Sequence, residues 1–263
     1  MLSGRKLRAR LLLRGGRTVH QQPTPSEHLG LGSSVNLGVA CALAFLAAFP
    51  QLCSPWGASM VGAIGPHVQG KRQVRDSVGS VTLFTLGAIA GGLVTGSLVG
   101  VLGAVAQALA GEEVLAVVVG VAGCGLLLAD LGVLGLRTPT LRRQTSSTWY
   151  RKRGPRAVWP LWGFDLGLGF STIRLSSLYW LLVLFVAAFV SPVLAPLVFA
   201  LYGLGLGIAF AAAVAVQLRR SSHGASSPGL GLLRVARRVR LASDAVLGLV
   251  SITIVMTWGA PWS

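Results

Sequence analysis

The sequence has little charge, and very little of it is acidic. Of 263 residues only 11% are charged, with 7 Asp and Glu against 23 Lys and Arg. A soluble domain of this size carries more charge and shorter apolar runs. Cysteine is also scarce: Cys41, Cys53 and Cys124 are too few for a disulfide framework. No CxxC and no Cys/His cluster is present, so no metal site of the usual spacing and no cofactor is expected. There is no phosphate-binding glycine–lysine motif, no HExxH and no Ser/His/Asp grouping in register, which argues against a hydrolytic enzyme.

What the sequence does have is apolar length. Hydrophobic residues make up 53% of the chain and mean hydropathy is +0.70. Several uncharged runs reach the ~20 helical residues needed to cross ~30 Å of hydrocarbon. The chain reads as an all-α membrane protein with six transmembrane segments, over about 35–64, 78–109, 114–136, 159–190, 193–218 and 241–258. Together they form one transmembrane domain over 35–262. Residues 1–34 read as a basic, disordered tail. Pro50 and Pro55 are expected to kink or split the first segment. In the second, Gly87–Gly91 and Gly92–Gly96 set small residues four apart, the spacing of close helix packing.

The net charge of +16 has two possible meanings, nucleic acid or membrane orientation. The positions favour the second and no nucleic-acid partner is expected. The loops after segments one, three and five hold 3, 7 and 6 basic residues, and the other loops and the C-terminus hold none. The positive-inside rule then places those loops in the cytoplasm and the C-terminus outside a plasma (inner) membrane, with the bilayer and its anionic headgroups as partners. The basic tail resists this count. Either the later loops dominate, or the mature chain begins near Val35, or the first segment re-enters without crossing.

The fourth segment is the anomaly. It carries Asp165 and Arg174, with Gly163, Gly167 and Gly169 before the arginine. The glycines suggest a helix that bends or breaks beside the charge. As one straight helix, 159–190 would be about 48 Å long, more than the bilayer core. Arg174 is then the charge nearest the midplane. It is either a structural pair that snorkels to an interface or part of a substrate path, with Asp165, Ser171 and Thr172. Asp130 and Asp244 lie near the cytoplasmic ends of segments three and six. Asp130 reads as paired or hydrated at the interface.

The halves share their punctuation: a long interrupted segment, a Gly/Ala-rich one, then one with a single Asp. With three crossings each, they would be two inverted three-helix repeats with helices one and four broken, the pattern that places a site between repeats. Ser54-Pro55-Trp56 after Cys53, Gly169-Phe170-Ser171-Thr172-Ile173, and Tyr202-Gly203-Leu204-Gly205-Leu206-Gly207-Ile208 resemble motifs of the DsbD/CcdA family of thiol–disulfide interchange and cytochrome c biogenesis membrane proteins. The resemblance covers about 35–262 and implies outside termini and a relay between two thiols, one on each half. Trp56 and Ile173 occupy the positions that match those thiols, and no cysteine lies in the second half. Cys53 is the remaining redox candidate, three residues from the first position. The favoured expectation is a divergent scaffold that moves a small solute. The alternatives are a thiol electron carrier working with a thioredoxin-like partner, and a non-catalytic subunit that assembles another membrane protein.

Overall fold

The computed structural model describes residues 25–52, 73–133, 155–169, 176–221 and 229–258. The chain divides into a short N-terminal unit, Met1–Val35, and a main unit, Asn36–Ser263. The described part of the first unit is helical from Pro25. Among the described residues there are seven helices and no strand. They are α1 (Pro25–Leu52), α2 (Gln73–Leu109), α3 (Glu112–Asp130), α4 (Pro155–Leu168), α5 (Leu178–Phe189), α6 (Ala195–Ser221) and α7 (Gly229–Trp258).

Five of the seven are long and apolar enough to cross a membrane: the stretches Ser34–Gln51, Asp76–Leu109, Glu112–Asp130, Ala195–Val216 and Arg237–Thr257. Their outward surface is apolar. Leu86, Leu98, Val101, Leu102 and Leu109 on α2 are exposed, as are Val117, Val118 and Val121 on α3. In water such a surface would be a liability. In hydrocarbon it is neutral, and the helix is the form that bonds its own backbone there.

Without a hydrophobic drive between helices, close packing has to hold them together. Glycine supplies it. α2 and α6 run antiparallel, with Gly92 against Phe199, Gly96 against Pro196, Gly203 against Ala88 and Gly207 against Thr85. α2 and α4 run parallel, with Gly87 on Pro160, Gly91 on Phe164, Gly163 on Phe84 and Gly167 on Ala88. Most of these contacts are to backbone atoms, and none has room for a Cβ. The Gly87–Gly91 and Gly92–Gly96 pairs of the sequence thus serve two different partners. α3 and α7 form a third, antiparallel seam, with Gly120 on Val255, Gly123 on Ser251 and Gly248 on Leu127. α1 meets α6 where Gly205 faces Ala48 and Phe45. Aromatic rings fill the centre: Phe84 lies 4.4 Å from Phe210, and Tyr179 lies 5.2 Å from Tyr202.

The ends of several elements differ from the sequence expectation. α3 stops at Asp130 rather than near 136, because Gly132 turns the chain at φ 71°. α7 begins at Gly229, well before 241, and its first turns carry Arg234, Arg237, Arg238 and Arg240. Those arginines were expected in a loop, but Arg, Leu and Ala are good helix formers and extend a helix that the membrane part has nucleated. α1 begins at Pro25, with proline suited to a first turn, and passes through Pro50 to Leu52. The fourth apolar stretch is two helices, α4 and α5, with Gly169 at φ 80° closing the first.

Gly92→Leu should separate α2 from α6 and cost roughly 1–3 kcal/mol or more. Gly125→Leu should cost under about 0.5 kcal/mol, since nothing lies within 4 Å of a Cβ there. Thermal melting of the two detergent-solubilised variants checks both.

Candidate functional site

Breaking a helix in an apolar interior frees backbone groups that must find partners. Both sides of the break between α4 and α5 are met by side chains from other helices. On the α4 side, the Leu168 carbonyl accepts a hydrogen bond from the Thr95 hydroxyl of α2 at 2.9 Å and another from the Tyr179 hydroxyl of α5 at 2.9 Å. Thr95 and Tyr179 are buried. Gly169 lies directly against the Tyr179 hydroxyl, so a larger residue there would meet both a left-handed backbone and a filled space.

On the α5 side the partner is a carboxylate. Asp130, the last residue of α3, is 1% exposed. Its Oδ2 accepts the Ser177 N–H at 2.6 Å and its Oδ1 accepts the Ser177 hydroxyl at 2.7 Å. Ser177 is the N-cap of α5, so the anion sits at the positive end of that helix. Ser176 adds a local cap, its Oγ accepting the Leu178 N–H at 3.2 Å. The backbone carbonyl of the same Asp130 ends α3 and accepts a hydrogen bond from the Arg240 guanidinium of α7. A cation thus meets the negative end of α3. Arg240 also pairs with Asp244 one turn on, Nε to Oδ2 at 3.9 Å.

Asp130, Ser177, Arg240 and Asp244 therefore tie α3, α5 and α7 at one point. The pair is asymmetric: the Arg240 side chain is 46% exposed and that of Asp244 is 8% exposed. The Oδ1 of Asp244 is buried and has no hydrogen-bond partner among the described residues. Buried ionisable groups are costly in hydrocarbon, and such a junction is where function is sought first.

The residues singled out in the sequence fall unevenly. Ser171, Thr172 and Arg174 lie outside the described residues, between the two clamps in the chain. Cys53 and Pro55 lie outside them too. Asp165 is partly buried on α4 and has a partner. Gly167 forms the close contact with α2, and Pro50 is buried at the end of α1. Asp130, read as an interfacial acid, is buried and paired. Ser177, Arg240, Thr95 and Tyr179 were not foreseen. Ser176-Ser177 before an apolar run is a helix-start signature that would have flagged the cap. Among the described residues no group of three His, Cys, Asp or Glu is placed to hold a metal ion.

Asp130→Ala should leave two Ser177 donors unpaired and cost about 2–6 kcal/mol, roughly 1–3 for each. Ser177→Ala should cost about 1 kcal/mol. Because Asp130 and Ser177 act on each other, the double variant should be no less stable than Asp130→Ala alone, read as thermal midpoints in one detergent. No protein-family model, curated protein or solved structure matches the chain.

Proposed function

We propose that this protein is a six-crossing membrane carrier that moves a small anionic solute past the break between α4 and α5. The supporting observation is the course of that pair along α2. α4 lies against α2 from Phe84 to Thr95, and α5 reaches Gln107, whose amide donates to the Ala187 carbonyl at 2.9 Å. Phe84 to Gln107 is about 34 Å of helix, enough for a bilayer core. α4 and α5 are each too short to cross alone, at about 21 and 18 Å, but the pair makes the sixth crossing with its break near mid-depth.

In this reading the chain is built as two inverted repeats, α1–α2–α3 and α4/α5–α6–α7, on a DsbD/CcdA-like scaffold. Under a pseudo-two-fold axis, α2 would be equivalent to α6 and α3 to α7, and the counterpart of the long α2–α4 seam would be the approach of Gly205 on α6 to Ala48 on α1. Carriers of this build bind solute between repeats, where a discontinuous helix offers backbone groups and a helix end. Here Arg174 supplies the cation for the solute, Ser171 and Thr172 supply hydroxyls, and Asp165 flanks the entry. The Asp130–Ser177 contact holds α5 to α3, and the Arg240–Asp244 pair is the junction's water-facing side. Basic loops face the cytoplasm. The thiol-relay reading is left with Cys53 alone, because the second half has no cysteine to exchange with it.

Flux of radiolabelled sulfate and small carboxylates into proteoliposomes tests the proposal. Wild type should transport at least one of them. Arg174→Ala should lower that flux at least about tenfold with unchanged melting, and Cys53→Ser should leave it intact. Equal flux in wild type and Arg174→Ala would contradict the role of the break.

A further inference from the structure

A second feature lies away from the junction, between the first turns of α2 and the last turns of α6. A groove of about 210 Å³ is walled by Ser77, Val78, Val81 and Thr82 on α2 and by Ala211, Val214, Ala215 and Leu218 on α6. Its lining is apolar apart from two hydroxyls, and these differ. Thr82 bonds back to the Val78 carbonyl at 2.9 Å, as Ser80, Thr85 and Ser97 do to the carbonyls four residues before them. Ser77 does not. Its hydroxyl is buried and has no hydrogen-bond partner among the described residues. A buried, unpaired hydroxyl costs about 1–3 kcal/mol, so a ligand that accepts its hydrogen bond gains by binding there.

Charge says what kind of ligand. The two helices run antiparallel, so the start of α2 and the end of α6 share one end of the bundle. Arg75 lies in the first turn of α2 just before its spanning part, and Arg219 and Arg220 follow that of α6, with Asp76 the acid among them. An apolar slot in the membrane-facing surface that ends at a basic rim has the layout of a single phospholipid: acyl chain, ester carbonyl, anionic headgroup.

We infer that the α2–α6 groove is a binding site for one anionic phospholipid, its acyl chain between Val81 and Val214, an ester carbonyl accepting the Ser77 hydroxyl, and its phosphate at the Arg219–Arg220 end. The site does not depend on the carrier reading. It joins the two helices that form the central seam, so an occupied groove stabilises that seam by binding the folded state.

Native mass spectrometry of the full chain, delipidated and then titrated with phosphatidylglycerol or phosphatidylcholine of identical acyl chains, tests the site. One phosphatidylglycerol per chain should be retained, at least about tenfold more tightly than phosphatidylcholine. Arg219→Gln with Arg220→Gln should weaken retention of phosphatidylglycerol by roughly fivefold per arginine and leave phosphatidylcholine unchanged. Val214→Trp should fill the groove and abolish retention. Ser77→Ala, which removes an unpaired group and should not reduce melting without lipid, should weaken retention about threefold. Equal retention of the two lipids overturns the inference. So does full phosphatidylglycerol retention in Val214→Trp or, if that variant is not monodisperse, in Ser77→Ala.

Discussion

The carboxylate of Asp130 on the first N–H of the broken segment's second half is the contact on which the candidate site depends. Helices in hydrocarbon satisfy their own backbones, and a break is tolerated only where other groups take over. Here two sets of groups do so. Thr95 and Tyr179 close the end of α4, and Asp130 with Ser176 caps the start of α5. Each clamp joins a side chain from another helix, Thr95 of α2 or Asp130 of α3, to one from the broken segment itself, Tyr179 or Ser176, so the bundle and the segment hold the break together. Asp130 acts twice, with its side chain at a helix start and its carbonyl at a helix end where Arg240 waits. Opposite charges thus meet the opposite ends of α5 and α3, and helix dipoles and ion pairing favour the same geometry.

Those clamps work only if α2, α3 and α7 stand where they do, and glycine places them. The seams of α2 with α4 and α6 bring backbones so close that the Cβ of any other residue would collide. Close approach puts Thr95 within reach of Leu168, and the α3–α7 seam carries Asp130 to Arg240. The order of causes runs from residue spacing, to backbone approach, to the polar contacts that close the break.

Membrane character and glycine packing were legible in the sequence because they rest on local quantities: run length, hydropathy and residues four apart. The break was legible at Gly169 for the same reason, whereas Gly163 and Gly167 lie inside α4 and pack on α2. Element ends were less so. The arginines at 234–240 read as loop by charge, yet they continue a helix, since charge reports where water is and not where hydrogen bonding stops. The Asp130 junction was not legible. Ser177 is 47 residues from Asp130 and Arg240 is 110 residues away, so only the fold shows that they meet. The two aspartates near one end of segments three and six were visible, and Arg240 four residues before Asp244 is a local spacing for a pair, but nothing local says that Asp130 caps another helix.

The carrier proposal requires that water reach the break between α4 and α5. Site-directed labelling tests it most directly. In a chain with Cys41, Cys53 and Cys124 replaced by serine, single cysteines at Ser171, Thr172 and Arg174 are exposed in proteoliposomes to a membrane-impermeant maleimide, with Leu102 on the outer face of α2 as the buried-in-lipid control. Labelling at the three break positions and none at Leu102 is the predicted result. Break positions as unreactive as Leu102 would show that no water reaches the gap, and would contradict the account.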